Sequence, residues 1–234
     1  MPDADPLHVE VWSDIVCPWC FIGKRRMDRA VDAIRRDASC AAEIEIVYRP
    51  FQLDPGAPAG VAEPVAETYA RKFGGADRAA EMMTRVTAVA AAEGLEFRLD
   101  RAQRANTADA HRLLGWTLAN ADAATQAELK ESLMQAYFTE GEDIGDHDVL
   151  VDRAEQCALD RVAVRSMLGS DAGIEALAVE LQRASDTDIA AVPTYVFAGR
   201  WAVPGAQEAS VFEQVFRRLA NRPAEPVDGD MVRE

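Results

Sequence analysis

The sequence predicts an α/β protein: a βαβ…ββα sheet domain interrupted by a large all-helical insertion. Three observations predict it. Alternating apolar residues, the mark of strands, occur only near the two ends of the chain. Between them lies a long region rich in Ala, Glu, Arg and Leu, with helical spacing and no proline from Pro64 to Pro193. Two strands at one end and a hairpin at the other cannot bury themselves separately, so together they make one four-stranded sheet.

The elements follow in order. Leu7, Val9 and Val11 alternate and read as a strand. Met27, Ala30, Val31 and Ile34 repeat at helical spacing, and Ile44, Ile46 and Tyr48 alternate again before Pro50. Two strands flanking a helix indicate a parallel βαβ unit. A fully buried central strand should be continuously apolar, yet His8 and Glu10 are polar. The start of the first strand is therefore expected to reach a sheet edge. Asp54-Pro55-Gly56-Ala57-Pro58-Ala59-Gly60 is a linker. Helices are expected around Tyr69, Val86, Leu114, Leu133, Leu150, Val164 and Leu177, punctuated by Gly94, Gly141, Gly145, Gly169 and Gly173. Thr194 to Ala198, Gly199-Arg200 and Trp201 to Val203 read as a hairpin. Pro204-Gly205 makes a turn. A last helix carries Val211, Phe212, Val215, Phe216 and Leu219 on one face. Residues 1–60 and 185–225 are thus assigned to a discontinuous sheet domain, 61–184 to the insertion and 226–234 to a polar tail.

The chain has 234 residues, of which 49% are hydrophobic, enough for a sizeable core. Its formal charge is -15, from 25 basic and 40 acidic residues. A nucleic-acid partner, which needs clustered Lys and Arg, is excluded on that ground. Met1 to Pro6 is polar and does not read as a targeting segment. No apolar stretch approaches the ~18 residues of a membrane span. The expectation is a soluble, cytoplasmic protein without a membrane partner.

Cys17-Pro18-Trp19-Cys20 lies at the junction of the first strand and the first helix. Pro18 suits the first helical position, where its missing N–H has no intrahelical partner. That puts Cys17 near the N-cap, at the positive end of the helix dipole. A depressed pKa and a reachable nucleophile are expected there. Cys20, one turn on, faces the same way and can close a disulfide with Cys17. A zinc site needs two further ligands at workable spacing. Cys40 and Cys157 are isolated, so no metal is expected; Cys157 reads as a packing residue of a helix.

The pattern resembles the DsbA-like thioredoxin-fold oxidoreductases, in particular their FrnE-like branch. The resemblance rests on segments spread over nearly the whole chain. Ser13 to Gly23, with the two cysteines, and Val192-Pro193-Thr194 with Val203 to Gln207 are specific together. Arg49 to Leu53, Asn106-Thr107, Ala110 to Leu113 and Tyr137-Phe138 support them. The resemblance implies a thioredoxin-like fold and a protein disulfide oxidoreductase, with Cys17 as nucleophile and Cys20 as resolving thiol. It implies a cis Pro193 beside the pair, with Val192, Pro193, Pro18 and Trp19 contacting substrate. His111 and Asn106 match positions facing the cleft. Partners would be protein disulfides, protein thiols or small thiols. No cofactor is implied beyond the redox disulfide, with glutathione as a conceivable co-substrate. The assembly would be a monomer or homodimer. The enzyme that names the family has proline and histidine between its cysteines; Trp19 is neutral, which predicts a less oxidising pair. Lys24, Arg25 and Arg26 could restore positive potential.

Some alternatives stay open on sequence. Asp14 reads as a surface carboxylate or as a proton-transfer group beside Cys20. His111 reads as a structural helix histidine or as a cleft residue. Trp12 reads as packing, Trp19 as part-exposed, and His8 and His147 as structural or solvent-facing. A glutathione-dependent isomerase or transferase of the kappa-class or chromene-carboxylate type would act on small aromatic compounds. Such enzymes use a serine where this chain has Cys17. A non-catalytic binding module is the third reading, and the intact cysteine pair weighs against it.

Overall fold

The computed structural model describes residues 6–37, 40, 43–58, 60–61 and 63–221. The expected polar start and the 226–234 tail lie outside them, apart from Pro6. In chain order the elements are β1 (Leu7–Ser13), α1 (Pro18–Arg36), β2 (Ile44–Pro50), β3 (Glu63–Pro64), α2 (Val65–Phe73), α3 (Ala76–Ala92), β4 (Gln103–Arg104), α4 (Ala108–Asn120) and α5 (Ala123–Gln135). A π-helical turn, Ala136–Glu140, extends α5. There follow α6 (His147–Gln156), α7 (Arg161–Leu168), α8 (Ile174–Asp186), β5 (Thr194–Phe197), β6 (Trp201–Pro204) and α9 (Ala209–Ala220). Each expected helix centre falls in a helix. The two-residue β3–β4 pair and the π turn carry no sequence signal we read. Asp122, Asp146 and Asp160 start α5, α6 and α7 by accepting backbone N–H bonds at the N-cap.

The four-stranded sheet has the order β2-β1-β5-β6. β1 pairs parallel with β2, placing Val9 beside Ile46, and antiparallel with β5, placing Val9 opposite Phe197. β1 is central from Val9 to Trp12, and its start runs beyond the β5 ladder with only β2 beside Leu7, so the expected edge at the start is found there. Its polar residues are tolerated because they are paired. His8 meets Glu45, and Glu10 meets Arg49 and Arg183. Trp12 is packed as expected, with the Arg183 guanidinium 5.3 Å from its ring centre. β2 is an edge strand, and edges need covering. The Gln126 side chain of α5 covers it, accepting from Tyr48 N–H and donating to Tyr48 O and Leu114 O.

The buried residues form two clusters, and α1 contributes to both. Met27, Ala30, Val31 and Ile34 pack with Val9, Val11, Phe197, Phe212 and Phe216, between the sheet and α9. Cys17, Cys20, Phe21 and Ile22, at the start of α1, pack instead with the helical layer. Phe21, Phe97 and Phe138 make that joint, with ring centres 5.9 Å and 4.4 Å apart in succession.

Candidate active site

Cys17 is the N-cap of α1, and Pro18 is its first residue. Its carbonyl accepts from the Cys20 and Phe21 N–H groups, so the first turn closes around it. The Val192–Pro193 peptide is cis, and Cys17 Sγ lies 3.8 Å from Val192 O. Gly23 allows this approach: a Cβ there would lie 2.3 Å from Tyr195 Oη and 3.2 Å from Pro193 Cγ. The Pro193 carbonyl accepts from Gly205 N–H, tying the proline to the turn after β6. Cys17, Cys20, Val192 and Pro193 thus converge from opposite ends of the chain, and Trp19 stands beside them, 43% exposed.

Two expectations about Cys17 are corrected. It is 3% exposed and Cys20 is 2% exposed, so neither sulfur is openly reachable. The helical layer closes over them, and this is a tertiary effect that a helix-start argument does not contain. The Cys17 thiol is also pushed well above the ordinary thiol range rather than below it. The neighbouring Cys20 sulfur is the main cause, burial and Asp14 add to it, and the Cys20 backbone N–H opposes. Two thiols in one buried site lose their protons in two steps, and the first thiolate holds back the second. Lys24, Arg25 and Arg26 offer little relief. Lys24 pairs with Asp28 and Glu131, Arg25 with Glu131, and Arg26 with Glu93 and Glu208.

Asp14 is fully buried, which removes the surface reading. Its carboxyl group accepts from Ile15 N–H and Leu53 N–H, both at 2.8 Å. His111 Nε2 lies 3.2 Å from the same carboxyl and 3.1 Å from Phe51 O. A carbonyl oxygen only accepts, so Nε2 carries the proton. Burial holds the His111 pKa below its ordinary value, which leaves the ring neutral at pH 7. His111 is buried, with its ring turned to Asp14 and Phe51. The Asn106 side chain is engaged by backbone. Its amide donates to Ala57 O and accepts from Ala108 N–H, pinning the linker to the start of α4. Cys40 is buried in the sheet core. Cys157 stops α6 at its C-cap, half-buried against the helical core.

One residue went unread in the sequence. Lys130 of α5 is completely buried. Its Nζ donates to Ser13 O at 3.2 Å, immediately before Asp14. Burial pulls its pKa down to about 8, while Cys20, Asp14 and Cys17 pull the other way. The available signal was its position four residues after Gln126 and three before Leu133, on the inward side of α5.

A cavity of about 300 Å³ reaches Val16, the residue before Cys17, and is lined besides by Leu53, Val65, Tyr69, Arg104 and Tyr137 among others. The Tyr69 hydroxyl stands within electrostatic reach of the Cys17 sulfur.

The family model described as "DSBA-like thioredoxin domain" matches residues 8–217. The uncharacterized protein YwbO of Bacillus subtilis is 28% identical, with 89% of this chain and 94% of that protein covered. The crystal structure of the probable DsbA oxidoreductase SCO1869 from Streptomyces coelicolor is similar, with 30% identity, a TM-score of 0.83 and coverage of 95% and 94%. The cytosolic disulfide reductase DsbM from Pseudomonas aeruginosa shares the fold at 14% identity, a TM-score of 0.59 and coverage of 91% and 96%.

Proposed function

The chain belongs to the DsbA-like thioredoxin family, and on that premise we propose that it exchanges disulfides through Cys17 and Cys20. One observation supports this reading above the others: the two sulfurs share one buried site at the start of α1, with Val192 O against Cys17. Cys17, as thiolate, attacks one sulfur of a substrate disulfide. A Cys17–substrate mixed disulfide forms and the other substrate sulfur leaves as thiolate. Cys20 then attacks the Cys17 sulfur, closes the Cys17–Cys20 disulfide and releases the second substrate thiol. The substrate gains two electrons and the protein loses two; the reverse sequence oxidises a dithiol.

Substrate docks over Trp19 and along the Leu53–Tyr69 cavity, next to the Val192–Pro193 segment. A small thiol such as glutathione, or an extended protein segment, fits that approach. The structure of DsbM, a cytosolic reductase also solved with GSH, is why we favour a cytoplasmic reductase over an oxidase. Glutathione exchange tests the proposal. Cys17→Ser abolishes turnover, and Cys20→Ser accumulates a mixed disulfide visible by mass spectrometry. Full turnover by Cys20→Ser with no mixed disulfide would replace the dithiol mechanism by a monothiol one of the glutathione-isomerase kind.

A further inference from the structure

We propose that the free edge of β2, from Glu43 to Ile46, is a docking site for an extended basic segment of a partner protein, which joins the four-stranded sheet as a further strand. The inference stands apart from the thiol chemistry above.

The direction of the β2 backbone carries it. Leu7 N–H donates to Glu43 O, so Glu43 turns its carbonyl toward β1. Backbone groups alternate sides along a strand. Tyr48 turns both its N–H and its C=O the other way, to Gln126. Ile46 and Ile44 lie two and four residues before Tyr48 and share its direction. Their N–H and C=O groups therefore point away from β1, and among the described residues no hydrogen bond is made to them. Gln126 closes the edge at Tyr48 and leaves the strand before it open. Unpaired edge groups of this kind are a template for another strand.

A groove of about 850 Å³ runs along this stretch, with α1 on one side and α5 on the other. From Glu43 to Ile46 the edge is about 10 Å long, at a rise of ~3.3 Å per residue. The flanking helices leave a slot for one short strand.

The walls select the occupant. Seven acidic and three basic side chains of the described residues line the groove. Lys24 and Arg25 are paired with Asp28 and Glu131, Glu45 meets His8, and Asp32 meets Arg36. Glu43, Asp122 and Glu128 have no ion pair among the described residues, and of the three cations only Arg35 is left to offset them. A second copy of the chain brings the same carboxylates, and residues 1–5 bring Asp3 and Asp5, so both are repelled. Side chains of an added strand alternate between the two faces of the sheet. On one face they meet Ile44, Ile46 and Val31, and on the other Glu45. The segment that fits therefore alternates apolar residues with Lys or Arg. Glu43 and Glu45 also reject acidic strands, which keeps the open edge from indiscriminate pairing.

The test uses the full chain and an N-acetylated hexapeptide amide of alternating lysine and valine. Affinity and amide hydrogen exchange are read residue by residue by ¹⁵N NMR. The peptide is expected to slow exchange at Ile44 and Ile46 about tenfold, while Tyr48 N–H, already held by Gln126, stays unchanged. A glutamate–valine peptide, and the lysine–valine peptide N-methylated at every residue, are each expected to bind about tenfold more weakly. The first loses the charge match and the second keeps it but loses the strand donors. Glu43→Lys combined with Glu128→Lys changes two exposed positions and is expected to weaken binding about tenfold. The proposal is overturned if exchange at Ile44 and Ile46 does not respond to the peptide. It is overturned as well if the N-methylated peptide binds like its parent, or if the charge-reversed chain binds within about twofold of wild type. Slowing of the same two amides with protein concentration alone would give the edge to a second copy and overturn it too. None of these outcomes touches the dithiol reading, which glutathione exchange tests separately.

Discussion

The two halves of α1 face different surroundings. From Met27 to Ile34 the helix lies on the sheet and under α9, among Val9, Val11, Phe212 and Phe216. From Cys17 to Lys24 it lies against the helical layer, near buried Asp14, His111 and Lys130. The first environment gains free energy from apolar burial alone. The second buries groups that would be more stable in water. One helix thus anchors the fold with one half and presents chemistry with the other, and the helical layer is a wall of the active site.

Substitutions in the two halves should separate stability from thiol chemistry. The largest loss is expected from Phe212→Ala, which empties a fully buried site on the apolar side. Urea unfolding should show a cost of about 3–5 kcal/mol, while the alkylation profile of the cysteines stays where it was. A shifted profile would mean that the two halves are coupled and the division is wrong.

Lys130→Met should act in the opposite direction. In the folded protein the lysine pKa is about 8, against an ordinary 10.5. The unfolded chain therefore binds more protons between those values, and wild-type stability rises with pH across that window. Below pH 8 the full cost is present, roughly 3 kcal/mol at ~1.36 kcal/mol per unit. The variant should gain up to that amount at pH 7, and the gain should vanish above about pH 10.5. Denaturation at several pH values checks it; a gain that does not change with pH would contradict it.

Gln126→Leu leaves Tyr48 N–H, Tyr48 O and Leu114 O without their side-chain partner. A loss of about 2–3 kcal/mol is expected, since unsatisfied buried groups cost ~1–3 kcal/mol each and water can reach some of them. Hydrogen exchange at Tyr48 N–H should quicken in step. Gly23→Ala puts a methyl against Tyr195 and Pro193. Overpacking of this kind costs about 1–3 kcal/mol. Because it pushes Pro193 away from α1, glutathione exchange should slow as well, and an unaffected rate would detach Pro193 from the site. Smallest is Trp19→Phe. The exposed indole should matter to stability by less than about 0.5 kcal/mol. The difference in fluorescence between oxidised and reduced protein should shrink markedly, although Trp12, Trp116 and Trp201 remain.

Most of the fold was legible because local patterns carry it. Apolar spacing placed all the helices of the insertion, and alternation placed β1, β2 and the hairpin. The cysteine pair and Pro193 were legible through their motifs. What escaped depended on packing between distant segments. Cys17 is buried in a cluster shared with residues of the helical layer such as Leu113, Leu133 and Tyr137, which no pattern near Cys17 announces. Asn106 shared a matching segment with the family, yet its amide serves the linker. Lys130 was missed for a general reason: a lysine in a helix almost always points outward, and only the closure of α5 over β2 turns this one inward. Glu10 misled in the other direction, since its partners Arg49 and Arg183 lie far along the chain.

The register of β1 against β5, with Val9 opposite Phe197, has a consequence for the order of assembly. On the ribosome β1 and β2 emerge first, and β5 is among the last segments made. Until then one side of β1 has no strand to pair with. Closing so long a loop from a disordered chain carries an entropic penalty that grows with loop length, and pairings this distant form slowly. The intervening segment shortens the task, since its helices are local structures that need no strand. It is then held at β1 by Lys130 on Ser13 O and by Arg183 on Glu10. The inserted helices thereby act as a built-in template for nascent-chain folding, and the last hairpin needs only to dock.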